Sequence, residues 1–278
     1  MKTTRTQPFV KLSNVARVIS RCLLLPFVLL TSQTVRAQEV RVAAAADLKF
    51  ALEALGAQYE KQVGRKINVS YGSSGNFFSQ IQNGAPFDLF LSADIEYPRK
   101  LEAAGLAEPG TLYEYAVGRI VIWMPADARA DLASLGWKAL LEPGVERIAI
   151  ANPEHAPYGR AAVAALRNAG VYEQVRRRLV YGENIAQAAQ FVASGSAQAG
   201  ILALSLAVSP ALKEGKRWEI PTNIHPPIEQ GALILKGGRD KDGARAFLTF
   251  LKSDAGRKIL ESYGFMLPAS DKASAPSR

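Results

Sequence analysis

The sequence predicts an α/β fold in which short strands and helices alternate along nearly the whole chain. Apolar runs such as RVAAAA (41–46) have the length and composition of buried strands. The segment LKFALEALGAQYEKQVG (48–64) instead spaces its apolar residues as on one face of a helix. Glycines such as Gly64 and Gly84 separate these segments. Alternation of this kind favours mostly parallel sheets covered by helices.

The first 37 residues have the pattern of a secretory signal peptide. Five Lys and Arg residues precede the apolar run CLLLPFVLL (22–30), and Val35-Arg36-Ala37 has the small residues of a cleavage site. We therefore expect cleavage near Ala37, before Gln38, and export to the periplasm. The apolar run is shorter than the roughly 20 residues that span a bilayer. An uncleaved anchor is the alternative interpretation.

Removal of this segment would change the net charge. The whole chain has 34 Lys and Arg against 25 Asp and Glu, a net charge of +9. Residues 1–37 contain six of the basic residues and no acidic one, which leaves 28 against 25 and a net charge of +3. A nucleic-acid-binding surface needs clustered basic residues, and the only dense run, Arg176-Arg177-Arg178, fits a solvated helix face. We expect no nucleic-acid partner.

The cysteine and histidine counts argue against disulfides and zinc. The single cysteine, Cys22, lies in the predicted signal peptide, and the chain has only two histidines, His155 and His225. A structural zinc site usually takes four Cys or His ligands. We expect a protein without a cofactor that relies on its hydrophobic core, which about 240 residues can supply.

The alternation continues to the C-terminus. YEYAVGRIVIWMP (113–125) is a long apolar strand pattern that could cross between two domains, and residues 269–278 form a polar tail that we expect to be disordered. Further strand and helix patterns are INVSYG (67–72), FFSQIQNG (77–84), FDLFLSAD (87–94), RIAIAN (147–152), GRAAVAALRNAG (159–170), IAQAAQFVASG (185–195), AGILAL (199–204), PIEQGALILK (227–236) and ARAFLTFLKSDAGRKILESYGF (244–265).

Four predicted strands run into a small-residue turn that starts a helix. A helix start presents unpaired N–H groups and a partial positive charge, which suit an anion. In α/β sheets, ligands lie beyond the carboxyl ends of the strands. The pattern therefore predicts a receptor for an oxyanion rather than a catalyst. The four segments are RVAAAAD (41–47), NVSYGSSGN (68–76), RIAIANPEHAPYG (147–159) and LVYGEN (179–184).

The first turn ends in Ala46-Asp47, directly before a helix. An Asp at this position is most often a helix N-cap, and we expect the Asp47 carboxylate to accept from an N–H two or three residues on. An ionised carboxylate about 4 Å from an anion costs a few kcal/mol at an effective dielectric constant near 20. We therefore expect the Asp47 carboxyl group either to point into the helix cap, to be protonated, or to donate its proton to the ligand.

The other turns offer hydroxyls and N–H groups. Ser74, in GSSGN (72–76), is either a donor to an anion or part of an ordinary Ser-capped turn. Tyr158 is either a donor at the mouth of the site or a core residue, and His155 fits a surface turn. Ile185 can offer only its backbone N–H, since its side chain suits the core.

Several of these segments resemble the periplasmic molybdate-binding proteins of ABC importers. The similarity covers residues 40–268, nearly all of the chain after the signal peptide. The matching segments are AAAADLKFAL (43–52), YGSSG (71–75), QIQNGAPFDLFLSAD (80–94), ANPEHAPYG (151–159), GENIAQA (182–188) and SGSAQAGILA (194–203).

The resemblance implies a type II periplasmic binding protein, with two lobes that close on a ligand by a hinge. The first lobe would comprise residues 39–118 and 225–268, and the second residues 119–224. The ligand would be molybdate or tungstate, captured by a monomer and passed to an ABC permease. Its oxygens would be held by Ala46, Asp47, Ser74, Tyr158 and Ile185.

The chain departs from the family pattern at two turns. Family members commonly have Ser, or a Thr-Asn pair, where this chain has Ala46-Asp47. One branch of the family has a Tyr where this chain has Ala203, and Tyr158 matches the other branch.

Two further interpretations remain open at this point. The same fold could bind another ligand, such as chromate, a ferric ion or an organic anion, although a ferric site would need more than one tyrosine. An exported hydrolase would need a nucleophile, a base and an orienting acid. Ser74 with His155 is the best available pair, and the sequence shows no third partner.

Overall fold

Residues 39–268 are described by a computed structural model, in which two five-stranded sheets carry the fold. The predicted signal peptide and the predicted disordered tail lie outside these residues. The strands are β1 (Val40–Ala45), β2 (Ile67–Gly72), β3 (Leu89–Ser92), β4 (Tyr113–Gly118), β5 (Ile120–Met124), β6 (Ile148–Ala151), β7 (Leu179–Gly182), β8 (Ala199–Ala203), β9 (Lys216–Glu219) and β10 (Ile228–Ile234).

Helices cover both sheets, and short 3₁₀ turns supplement them. Gly64 ends the first helix with φ of 72°, the left-handed conformation that glycine adopts at low cost. The helices are α1 (Lys49–Val63), α2 (Ser74–Gln82), α3 (Glu96–Ala103), α4 (Leu132–Leu135), α5 (Pro157–Asn168), α6 (Tyr172–Val175), α7 (Ile185–Ala193), α8 (Leu204–Ala207), α9 (Lys241–Lys252) and α10 (Asp254–Ser262).

The two sheets have equivalent topologies. The first sheet has the order β2-β1-β3-β10-β4, and only β10 runs against the other four strands. The second sheet has the order β7-β6-β8-β5-β9, and only β5 runs against the rest. The prediction of mostly parallel sheets flanked by helices is confirmed.

The chain passes between the sheets twice. The pattern over residues 113–125 predicts one long strand, but the structure has β4 in the first sheet and β5 in the second, separated by Arg119. The second passage runs through residues 220–227, between β9 and β10. We call each sheet with its helices a half of the molecule.

The hydrophobic core brings the end of β1 against the second half. Val42 and Ala44 pack with α1 and α9 on one face of the first sheet, and Ala43 packs on the opposite face. Ala45 and Ala46 instead join the core cluster of the second half. Because successive residues of a strand face opposite sides, β1 is enclosed on both faces and leads directly into the space between the halves.

Candidate functional site

The four turns that the sequence singles out line one cavity between the two halves. The volume open to the centre of a water molecule is about 10 Å³, close to the minimum that holds one water. The lining residues are Ala45, Ala46, Asp47, Gly72, Ser73, Ser74, Ala93, Ala156, Pro157, Tyr158, Asn184 and Ile185.

All five residues that the resemblance implies as ligand holders line this cavity, and all five are buried. Ala46 and Asp47 lie in a 3₁₀ turn after β1, and Ser74 is the first residue of α2. Tyr158 lies in the first turn of α5, and Ile185 is the first residue of α7. The structure brings these residues together, while their role in binding stays a prediction.

The Asp47 carboxylate does not cap a helix, and the expectation that it does is wrong. No side chain caps the 3₁₀ turn Ala46–Leu48 or α1. Asp47 Oδ2 instead accepts hydrogen bonds from the Tyr158 hydroxyl at 2.9 Å and from Gln230 Nε2 at 2.7 Å. These donors come from α5 and β10, so tertiary packing overrides the local capping preference.

Gln230 and Tyr115 complete a buried polar network that the sequence analysis missed. Gln230 Nε2 also donates to the Tyr158 oxygen at 2.9 Å, and Gln230 Oε1 accepts from the Tyr115 hydroxyl at 2.8 Å. The Tyr115 hydroxyl also lies 3.2 Å from the Ser92 carbonyl oxygen. A glutamine inside the apolar run PIEQGALILK is the signal that could have revealed the network, because a buried amide requires partners.

Burial raises the pKa of Asp47 to about 6. The hydrogen bonds from Gln230 and Tyr158, and the backbone N–H groups of Asp47 and Leu48, oppose that increase. Asp47 is fully buried, and its second oxygen, Oδ1, has no hydrogen-bond partner among residues 39–268. Burial also holds the pKa values of Tyr158 and Tyr115 well above the ordinary tyrosine value, with the nearby Asp47 charge as a further cause.

The Ser74 hydroxyl is held by the backbone directly after β3. Its oxygen accepts from the Ala93 N–H at 2.9 Å, so its one proton remains free to be donated. The preceding residue, Ser73, caps α2 by accepting from the Asn76 N–H at 3.4 Å. The two adjacent serines thus have different roles in the local structure.

The start of α7 lies at the cavity wall, which Asn184 and Ile185 line. The Asn184 side chain caps this helix by accepting from the N–H groups of Ala186 and Gln187, at 3.0 and 3.1 Å. The cap leaves the N–H of Ile185, the first helical residue, outside these two bonds. The Ile185 side chain packs in the core of the second half, as its composition predicts.

The rim of the cavity carries contacts between the halves. The Gly75 N–H of α2 donates to the His155 carbonyl at 3.0 Å. Arg160 of α5 forms an ion pair with Asp94 at 2.5 Å, and the Asn76 amide donates to the Glu183 carboxylate. The halves are therefore connected through polar groups around the cavity.

The structure does not assemble a hydrolase site from Ser74 and His155. The His155 ring contacts Glu183, with Nε2 2.9 Å from its carbonyl oxygen and 3.3 Å from its carboxylate. No hydrogen bond joins that ring to Ser74 within residues 39–268. The same part of the chain contains no group of three or more His, Cys, Asp or Glu side chains arranged to hold a metal ion.

Comparisons with known proteins identify the family. The family model of bacterial extracellular solute-binding proteins matches residues 40–266. The chain is also 40% identical over 233 residues to the molybdate-binding protein ModA of Azotobacter vinelandii, which covers 84% of this chain and 91% of that protein. The chain belongs to the ModA family of bacterial extracellular solute-binding proteins.

Two further similarities support this assignment. ModA of Rhodobacter capsulatus is 38% identical over 230 residues, covering 83% of this chain and 89% of that protein. The solved structure of the periplasmic molybdate-binding protein of A. vinelandii is 36% identical with a TM-score of 0.77, covering 83% of this chain and 100% of that chain. The predicted periplasmic binding protein fold is thereby confirmed.

Membership in the ModA family also settles the class of activity. These are solute-binding proteins that act outside the cytoplasm, so the prediction that the chain is not an enzyme is confirmed. Within residues 39–268, no helix is long and apolar enough to cross a membrane.

Proposed function

We propose that this ModA-family protein captures molybdate or tungstate in the cavity between its halves and delivers it to the permease of an ABC importer. The observation that carries the proposal is the convergence of Ala46, Asp47, Ser74, Tyr158 and Ile185 on one buried cavity. The ModA name of its relatives supports molybdate as the ligand. The ligand is cargo, and the protein needs no cofactor.

The cavity suits an anion that is held by neutral donors. The Tyr158 N–H in the first turn of α5 and the Ile185 N–H at the start of α7 supply backbone donors, and Ser74 supplies a hydroxyl proton. These groups replace the water molecules of the anion's hydration shell with hydrogen bonds that are charge-assisted. The donors would bind oxygen atoms of the oxyanion, so the metal at its centre needs no protein ligand.

Entry of the ligand requires the halves to separate. The cavity offers about 10 Å³ to water centres, which is room for about one water molecule. An oxyanion of five heavy atoms is larger than one water molecule. The two passages of the chain, at Arg119 and at residues 220–227, are the natural hinges. We therefore assign residues 39–118 and 225–268 to one lobe and residues 119–224 to the other.

The remaining parts of the proposal rest on the sequence and the family. Residues 1–37 act as a signal peptide that is cleaved near Ala37, which places the mature protein in the periplasm. The protein works as a monomer with no nucleic-acid partner, and its macromolecular partner is the ABC permease.

A calorimetric titration of the exported, processed protein tests the ligand. We expect molybdate and tungstate to bind, and sulfate and phosphate to give no measurable heat. A ligand at about 1,000 times its dissociation constant should raise the free energy of unfolding by about 4 kcal/mol. If millimolar molybdate leaves the melting temperature unchanged while chromate, ferric ion or an organic anion raises it, that solute replaces molybdate as the ligand.

A further inference from the structure

A buried acid lines the cavity in which we place an anion. Asp47 is fully buried, and Oδ1 is the polar atom of its side chain that has no partner among the described residues. An ionised carboxylate beside an oxyanion would be repelled, because a buried site screens charges poorly. An unpartnered buried oxygen is also costly unless it receives a hydrogen bond or a proton.

We propose that the site takes up its oxyanion together with one proton, which Asp47 Oδ1 shares with an oxygen of the ligand. This inference rests on the proposed function and specifies how the same site recognises its ligand. Asp47 acts as a proton-carrying ligand-binding residue, and capture of the anion is coupled to capture of the proton.

The hydrogen-bond network determines which oxygen carries the proton. Oδ2 already accepts from the Tyr158 hydroxyl and from Gln230 Nε2. The other N–H of Gln230 Nε2 is directed to the Tyr158 oxygen, and Gln230 Oε1 accepts from Tyr115. This chain of donors keeps Oδ2 an acceptor, so a proton on the carboxyl group resides on Oδ1 and can be donated to the ligand.

The groups around Asp47 leave its charge without a basic partner. Tyr158 and Tyr115 both face it and stay protonated, because burial raises their pKa values well above the ordinary value. Helices α7 and α8, which pack on the 3₁₀ turn, contain no charged residue, and Ser205 of α8 donates to the Asp47 carbonyl at 2.8 Å.

Three charged or titratable side chains near the cavity have other partners. Lys49, at the start of α1, holds its ammonium over the Phe50 ring, 5.5 Å from its centre. The His155 ring contacts Glu183, and Arg160 pairs with Asp94. The groups that contact the Asp47 carboxyl group are therefore neutral. Burial raises the pKa of that carboxyl group to about 6.

The coupling has a defined pH dependence. Above about pH 6, the free protein carries an ionised Asp47, and binding must draw a proton from solution. The affinity should then fall about tenfold for each pH unit, and it should level off at lower pH, where Asp47 already holds the proton. A shared proton also favours molybdate and tungstate over sulfate, because the oxygens of sulfate are less basic.

The test is calorimetry on the exported, processed protein with molybdate as the probe. Titrations at one pH in two buffers of different ionisation enthalpy give the number of protons taken up on binding. We expect about one proton per molybdate near pH 8 and a value that approaches zero near pH 5. Molybdate binding with no proton uptake and an affinity independent of pH would overturn the inference and leave the proposed function intact. If no anion binds at any pH, the proposed function itself fails.

Two variants locate the proton. Asp47→Asn is neutral at every pH, so it should bind molybdate without proton uptake and without the tenfold loss per pH unit; its melting curve verifies that it folds. His155→Gln is the control, because the His155 imidazole lies at the rim of the cavity and contacts Glu183, and it should retain the proton uptake. Proton uptake that survives in Asp47→Asn and disappears in His155→Gln would assign the proton to His155 and overturn the inference.

Discussion

The Tyr158 hydroxyl of the second half donates a hydrogen bond of 2.9 Å to Asp47 Oδ2 of the first half, across 111 positions of sequence. The single proton of the phenol is therefore directed to Asp47. The phenol thus orients this carboxyl group, whereas the Ser74 hydroxyl accepts from the Ala93 N–H and keeps its own proton available. This difference separates two residues that the family resemblance treats alike.

Ser74→Ala should weaken molybdate binding more than loss of an average neutral hydrogen bond. A hydroxyl that donates to a charged acceptor contributes about 1.5–3 kcal/mol, which corresponds to roughly a 10- to 150-fold loss of affinity. The variant also leaves the buried Ala93 N–H without its acceptor, so stability should fall by about 1–3 kcal/mol. Calorimetry and denaturant unfolding measure the two effects.

The adjacent Ser73→Ala is the matched control. Ser73 caps α2 by accepting from Asn76, so its loss should reduce stability by about 1 kcal/mol with a smaller effect on affinity. Equal losses of affinity in the two variants would contradict a specific role for the Ser74 hydroxyl.

Tyr158→Phe should affect stability more than binding. It removes a donor to Asp47 and an acceptor of Gln230, both buried, so the free energy of unfolding should fall by about 1–3 kcal/mol. Because the phenol proton is directed to Asp47, the affinity for molybdate at neutral pH should fall by less than in Ser74→Ala. A larger loss would show that the phenol donates to the anion directly.

Gly118→Ala should disrupt the network without changing any of its members. A Cβ at this position would lie 2.2 Å from the Tyr158 hydroxyl and 2.9 Å from Gln230 Nε2. Such overpacking typically costs about 1–3 kcal/mol, and the affinity for molybdate should fall with it. Gly144→Ala is the control, since its Cβ would meet nothing within 4 Å; comparable losses in both variants would rule out a specific effect.

Asp47 should make the protein less stable as the pH rises. Burial raises its pKa from 3.8 to about 6, so the folded state binds the proton more tightly than the unfolded state. Its contribution to stability is complete below about pH 4 and is lost as the pH rises through about 6, a change of about 3 kcal/mol.

Asp47→Asn lacks this titration. Its free energy of unfolding, relative to that of the parent protein, should therefore increase by about 3 kcal/mol between acid and neutral pH. Urea unfolding of both proteins across this range measures the difference. A constant difference would show that Asp47 has an ordinary pKa in the folded state. The slope of the unfolding free energy with urea must be the same in both proteins for the comparison to be valid.

The alternation of strands and helices could be predicted because it depends on local patterns. The segment 48–64 predicts a helix that the structure places at Lys49–Val63, with Gly64 as its end. The local pattern did not show the break at Arg119, since the apolar run continues on both sides of it; the lobe boundary at residues 118 and 119 came from the family resemblance. Its cause is the assignment of β4 and β5 to different sheets, which no local pattern encodes.

For the candidate site too, one part could be predicted from the sequence and another part could not. The four turns follow from local sequence, because a strand, a small-residue turn and a helix start are encoded by neighbouring residues, and the family resemblance places Ala46, Asp47, Ser74, Tyr158 and Ile185 at them. The roles of Gln230 and Tyr115 depend on partners 72 to 183 positions away.

The sequence by itself thus determined the alternating fold, the family and the residues at the cavity. Only the tertiary structure decided what Asp47 does there. From the local sequence alone, an Asp before a helix is expected to cap that helix, because the N–H groups two or three residues on are its nearest donors. In the folded protein, Tyr158 and Gln230 supply donors from other elements and burial removes water, so the carboxyl group becomes part of the cavity wall with its pKa raised to about 6.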